Sequence, residues 1–189
     1  QAADAYSLSN IATVRVIVGT PQPVYQFLMD SNPGWTVQGG WAFGPPQGLS
    51  GDPALAWTGM NVYGFNLAGD YSNNMSSTQY LTTSSFNCSS LAGTRLRFRR
   101  WLGVQAASGD HAGVDISGVG SPWSPSWQHL GVAIGDTSWS LVDLDISGVA
   151  DGNAGAKVRW GVGPTDGSGT SFGWNIDDVE IWGILPGVG

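Results

Sequence analysis

Apolar and polar residues alternate along this chain in short runs, broken by clusters of glycine, proline, serine and asparagine, which is the pattern of β-strands that bury one face. Residues 11 to 18, Ile-Ala-Thr-Val-Arg-Val-Ile-Val, are β-branched and nearly alternating, and Gly19-Thr20-Pro21-Gln22-Pro23 interrupts them before a second strand near Val24 to Met29. Trp35 to Phe43 carries Gly39-Gly40 at its centre and predicts a hairpin, followed by a loop holding Pro45, Pro46, Gly48, Gly51 and Pro53. Further strands are predicted near 60–66, 79–83, 95–102, 112–117, 127–134, 139–146, 156–161 and 172–182. The breaks between them, such as Ala150-Asp151-Gly152-Asn153, are too short for crossover helices, so the pairing is antiparallel. No segment predicts a long helix. The expectation is an all-β antiparallel sandwich over residues 21–189, preceded by an N-terminal extension strand and linker over residues 1–20.

Composition narrows the function. Charged residues are 11% of the 189, the net charge is −7 and the isoelectric point is about 4.3. That excludes a general nucleic-acid binder, which concentrates Lys and Arg against phosphates. No apolar run reaches the roughly 20 residues that span a bilayer. A start at Gln1 is expected of a mature or excised segment whose targeting signal has been removed, and with it an extracellular or cell-surface location. Cys88 is the one cysteine, so it makes no intrachain disulfide and is expected as a buried, inert thiol.

The closing stretch Gly173-Trp174-Asn175-Ile176-Asp177-Asp178-Val179-Glu180-Ile181-Trp182-Gly183 resembles the last strand of MAM-like jelly-roll modules of bacterial surface proteins, the cleaved-adhesin and choice-of-anchor groups among them. Trp41-Ala42-Phe43-Gly44, Asp110-His111-Ala112 and Arg159-Trp160-Gly161 are similar to further pieces of that pattern, and the resemblance runs from about residue 24 to 183. It implies an antiparallel jelly-roll β-sandwich of the carbohydrate-binding-module kind and an accessory adhesion or glycan-binding role. Ser9 to Val16 resembles instead the final strand of an immunoglobulin- or cadherin-like repeat.

Several constellations are candidates for chemistry. Asn175-Ile176-Asp177-Asp178-Val179-Glu180 superficially matches the carboxylate-bearing strand of jelly-roll endoglucanases, but Asn175 is no nucleophile, and no enzymatic activity is expected. Phe172, Trp174 and Ile176 share one face while Val179 and Ile181 fall in the opposite phase, so a bulge is predicted at Asp177-Asp178. Hard oxygen ligands turned out by that bulge suit a structural calcium ion; the candidate ligands are Asp178, Asp177, Asp70, Asp30 and Asn73, with Asp52 and Asn74 as further partners. The alternative is that Asp177 and Asp178 accept backbone hydrogen bonds.

Six of the seven cations lie in two segments, Arg95, Arg97, Arg99 and Arg100 in one and Lys157 and Arg159 in the other. By alternation Arg95, Arg97 and Arg99 share a face, as do Lys157 and Arg159, predicting one cationic stripe for an anionic polysaccharide or an acidic partner. Most of the ten tryptophans are expected in the core, with Trp57, Trp123 and Trp127 the candidates for stacking on sugars. Two functional readings therefore stand open. In one, a non-catalytic subunit assembles head-to-tail with copies of itself, or with an adjacent domain, by donating Ile11, Ala12, Val14, Val16 and Val18 to a neighbour's sheet edge. In the other, a carbohydrate-binding module recognises an extracellular polysaccharide.

Overall fold

The structure, a computed structural model, describes residues 18–185. Its strands in chain order are β1 (Gln22–Phe27), β2 (Thr36–Val37), β3 (Trp41–Gly44), β4 (Val62–Phe65), β5 (Gln79–Thr82), β6 (Ala92–Val104), β7 (Ala112–Ser117), β8 (Ser124–Gln128), β9 (Ile134–Gly135) and β10 (Ser140–Asp145). A single helical turn, α1 (Ser147–Ala150), then leads to β11 (Lys157–Val162) and β12 (Gly173–Ile184). Every pairing is antiparallel, and the strands form two sheets.

The larger sheet runs β10-β6-β12-β4-β3, with β9 also on β6 and β1 also on β12. The smaller runs β2-β5-β11-β7-β8. β12 is the hinge of the larger sheet: Asn175 and Ile176 face Gly64 and Tyr63 of β4, whereas Val179 to Gly183 face β1 from Phe27 back to Gln22. The two partners lie end to end on one edge of β12, and the register slips between them at Asp177–Glu180, where Asp178 has a φ of 44°. The bulge expected at Asp177-Asp178 is therefore present, and it marks the gap where β12 changes partner.

Between the sheets, alternate side chains interdigitate as in a sandwich core. Trp160 stacks on Trp35 at 5.8 Å and Trp35 on Tyr63 at 5.3 Å, while Phe98 meets Trp160 edge-on. Leu96, Phe98, Val158, Trp160, Val114, Ile116, Trp174 and Ile176 point inward, leaving Arg95, Arg97, Arg99, Lys157, Arg159, Asp115 and Asn175 on the outer sides. Cys88 lies fully buried in this core, where burial, with the charge of Asp151 adding, pushes its thiol up to about 11. That thiol stays protonated and unreactive at neutral pH.

Two local expectations fail. Gly39-Gly40 makes no hairpin, because β2 joins β5 in the smaller sheet and β3 joins β4 in the larger. The chain crosses between sheets there, Gly39 taking a φ of 55° and a position that a Cβ would contest with the Gln79 amide. The strand expected over 127–134 is instead β8 and the short β9 with an irregular link. Pro125 is tolerated in β8 because that strand is a sheet edge, where Pro125 sits opposite Asp115 at a register shift.

Candidate functional site

The long segment between β3 and β4, residues 45–61, lies over the outer face of the larger sheet and is tied to it by side chains of β6 and β12 and by Trp139, just before β10. Asp177 is the anchor. Its Oδ2 accepts the N–H groups of Trp57 at 2.8 Å and Thr58 at 3.1 Å, and its Oδ1 accepts that of Asp178 at 2.8 Å. The Thr58 hydroxyl donates to Asp178 Oδ1 at 2.6 Å. Desolvation nevertheless dominates and raises the Asp177 carboxyl to about 6, these hydrogen bonds opposing it. Trp101 Nε1 donates to the Gly51 carbonyl and Trp139 Nε1 to that of Leu55, and the two rings meet edge-on at 5.8 Å.

The cations of this face are paired within the sheet or, for Arg99, against the cover. Arg95 and Arg97 place their Nε atoms 2.6 and 2.9 Å from the two oxygens of Asp143 on β10. Arg97 also lies over the Trp182 ring at 4.2 Å, and Arg99 over the Trp57 ring at 4.1 Å. Trp57 is thus occupied by an arginine on one face of its ring.

Lys157 and Arg159 are not part of this stripe. β11 belongs to the smaller sheet, so the single cationic stripe expected from the sequence is two separate sets on opposite outer faces. Alternation within a strand is local and reads correctly, but the sheet a strand joins is decided by long-range pairing.

The calcium candidates are divided as well. Asp30 is close enough to Asp178 to raise its carboxyl, after burial and against the Thr58 hydrogen bond and Arg99. Asp70 belongs to a different neighbourhood, its Oδ2 taking the Thr170 hydroxyl at 2.7 Å, and Asn73 lies in the loop beyond it. Among the described residues no three His, Cys, Asp or Glu side chains gather as a metal centre.

The outer face of the smaller sheet has no comparable cover. It carries a groove of about 260 Å³ lined by Thr78 and Tyr80 on one side, Gln128 and His129 on the other, with Asp115 and His111 between. Gly113 and Gly161 are register partners on β7 and β11 along its floor, Gly113 open on its outward side and Gly161 overlaid by Thr78 and Tyr80. At the end marked by Tyr80 and Asp115, Arg159 gives its Nε to Asp115 Oδ2 at 2.8 Å and lies flat over Tyr80 at 3.7 Å and Trp123 at 4.3 Å. Its guanidinium is thereby held in one plane beside the groove, with the terminal nitrogens carrying no other protein ion pair among the described residues. Gln128 and His111 stand exposed at the rim.

Of the three tryptophans proposed for stacking, Trp123 is half-buried against Arg159, Trp57 lies on the other face, and Trp127 packs edge-on against Trp174 in the core at 5.6 Å. Trp127 is therefore a packing residue, because β8 turns it inward beside Val114. Tyr80, Asp115, Gln128 and the two floor glycines were not singled out from the sequence. The available signal was glycine at outward strand positions, which a strand tolerates poorly without a reason such as close approach of another molecule. Of the proposed assembly strand, Ile11, Ala12, Val14 and Val16 lie outside the described residues, and Val18 at their boundary is exposed.

No family model matches the chain. Over 152 residues it is 30% identical to Bacillopeptidase F of Bacillus subtilis (strain 168), an alignment that takes in 78% of this chain and 10% of that protein. The chain thus spans about a tenth of the length of the curated relative it matches. Among solved structures, the CBM22-1 xylan-binding domain of Paenibacillus barcinonensis Xyn10C superposes with a TM-score of 0.52 at 9% identity, covering 92% of this chain and 100% of that one. A structure of promiscuous carbohydrate-binding modules from the β-sandwich superfamily gives 0.50 at 15% identity, covering 85% of this chain and 61% of that one. The fold is the β-sandwich of carbohydrate-binding modules. At these identities the likeness concerns architecture, and function rests on the site. No helix of the described residues is long and apolar enough to cross a membrane.

Proposed function

We propose that this chain is a non-catalytic, extracellular carbohydrate-binding module, of the MAM-like kind suggested by its last strand, and that it takes a polysaccharide in the groove over β5, β11, β7 and β8. The observation that carries this reading is the open outward side of Gly113 on the groove floor beside a flat, oriented Arg159. A pyranose ring needs an extended surface without protruding side chains, an aromatic or guanidinium plane against its C–H face and a few exposed hydrogen-bonding groups. Gly113 supplies the first, Tyr80, Trp123 and Arg159 the second, and Gln128 and His111 the third, with Asp115 orienting Arg159. The same fold bears xylan binding in the structure named above, which makes xylan the first probe. In Bacillopeptidase F the similar stretch is a small part of a far longer chain, as an accessory module would be.

Titration calorimetry against xylan, β-glucan and uronic-acid polysaccharides tests the reading. Saturable binding to at least one of them, weakened tenfold or more in Arg159→Ala and Tyr80→Ala, supports it. Absence of binding across such a panel, or binding untouched by both substitutions, rejects it.

A further inference from the structure

Strand β1 has β12 on one side and, among the described residues, no strand on the other. Tyr25 and Phe27 pack into the sandwich opposite Ile181 and Val179, yet those partners on β12 are fully buried while Tyr25 and Phe27 remain half-buried. The same core layer is closed at β12 and bare one strand further out. Beyond Phe27 the edge runs into a hollow of about 350 Å³ between Gln26 and Pro33, where Leu28 is 44% exposed.

The other edges are guarded. β2 and β3 are two and four residues long, Pro125 and a register shift interrupt β8, and β10 presents Asp143 and Asp145. Such devices keep sheet edges from pairing with other chains. β1 has only Pro23 and a register shift near its start, and Val24 to Phe27 carry no charge. A sequence that fits this edge lies in the chain outside the described residues. In Ile11 to Val18, Ala12, Val14, Val16 and Val18 fall in one phase and are all apolar, and Arg15, in the other phase, is the one charged residue between positions 5 and 18. Residues 22–35 carry Asp30 and no cation, and Gln26 holds Glu180 beside β1 at 2.7 Å, so the border that would receive Arg15 is acidic.

We infer that the open edge of β1 takes the Ile11–Val18 segment of a second copy of this chain, added as a further strand with Ala12, Val14 and Val16 over the bare flank of the core. Main-chain hydrogen bonds hold such a strand, and alternate side-chain pockets set its register. The point of entry selects a second copy over the same chain. An added Cβ on Gly19 would strike Ile184, so Gly19 lies on the β12 side of β1. A hairpin through Gly19, Thr20 and Pro21 would have to carry the chain from that side to the opposite one within three residues. Reciprocal donation closes a pair, and donation in one direction continues from copy to copy. The edge belongs to the larger sheet and the groove to the smaller, so strand addition and polysaccharide binding are independent.

The test is light scattering on the full chain over a range of concentrations. Expected is a mass that rises with concentration to two chains or more. Val14→Lys, which sets a charge in the inward phase, raises the concentration for half-assembly at least tenfold and keeps the circular dichroism and melting temperature that the parent has as a single chain. Thr13→Lys, in the outward phase, assembles as the parent does. Leu28→Lys at the receiving edge weakens assembly as Val14→Lys does, and an excess of synthetic peptide of residues 9–18 lowers the mass of the parent. Single chains at every concentration overturn the inference, as does assembly that survives Val14→Lys or Leu28→Lys or is lost equally in Thr13→Lys. A parent that stays single and melts at a lower temperature in Val14→Lys has the segment on its own sheet, which also overturns it.

Discussion

The two outer faces of this sandwich begin from the same sequence grammar and end with opposite properties. Each has a strand in which cationic residues alternate with core residues, β6 in one sheet and β11 in the other, and each sets arginine against an acid and an aromatic ring. On the larger sheet the 45–61 segment closes over Arg99, whose guanidinium lies on Trp57, while Arg95, Arg97 and Asp143 pair beside it at the partly exposed surface. On the smaller sheet the same kind of triad, Asp115, Arg159 and Tyr80, borders an open groove. An arginine–aromatic pair is therefore structural or available according to what lies above it, and here a single long connection makes the difference.

The largest expected effect comes from breaking the cover. Asp177→Ala removes the acceptor for three backbone N–H groups, a loss of about 3 kcal/mol in unfolding free energy at roughly 1 kcal/mol or more per orphaned donor. Hydrogen exchange at Trp57 and Thr58 rises while polysaccharide binding across the molecule is unchanged; loss of binding there contradicts the separation of the two faces. Filling the floor is the next test. Gly113→Val places a β-branched side chain, compatible with a strand, where the nearest atom to an added Cβ is the Trp127 carbonyl at 3.4 Å. Polysaccharide affinity falls at least tenfold, about 1.4 kcal/mol, with the melting temperature kept within a few degrees, as calorimetry on one sample can establish.

The arginine pair gives a smaller and more direct contrast. Arg99→Ala costs stability by about 0.5–1 kcal/mol through its lost stacking on Trp57 and leaves binding alone, whereas Arg159→Ala weakens binding. Equal effects of the two on binding would erase the comparison. The smallest effect serves as a control: Cys88, in the core between both faces, reacts negligibly with a thiol reagent at pH 8 because burial holds its thiol near 11. It stays protected in Asp177→Ala, which separates a lifted loop from an unfolded protein.

What was legible in the sequence was local. The strand of Arg95, Arg97 and Arg99 and the slip at Asp177-Asp178 follow from side-chain phase alone, and both are found. The outcome at Gly39-Gly40 depended on Thr36 and Val37 pairing with Thr82 and Leu81, a contact no turn signal encodes. The groove was hidden for the same reason, since Tyr80, Gly161 and Gly113 become neighbours only when β5, β11 and β7 are side by side. Asp177 was read as a cation ligand with backbone acceptance as the alternative, and the structure shows it taking N–H groups of a segment more than a hundred positions earlier. Asp52 was a secondary candidate, and its partnership with Asn175 is equally remote in sequence.

The placement of β12 also bears on how the chain is made. Central in its sheet and the last strand of the sandwich, it joins Gln22 to Gly183 and Gly64 to Asn175, so no ribosome-bound intermediate lacking it can complete the larger sheet. Such non-local closure is slow. A nascent chain of this kind keeps β1, β4 and β6 without their shared partner until β12 has emerged.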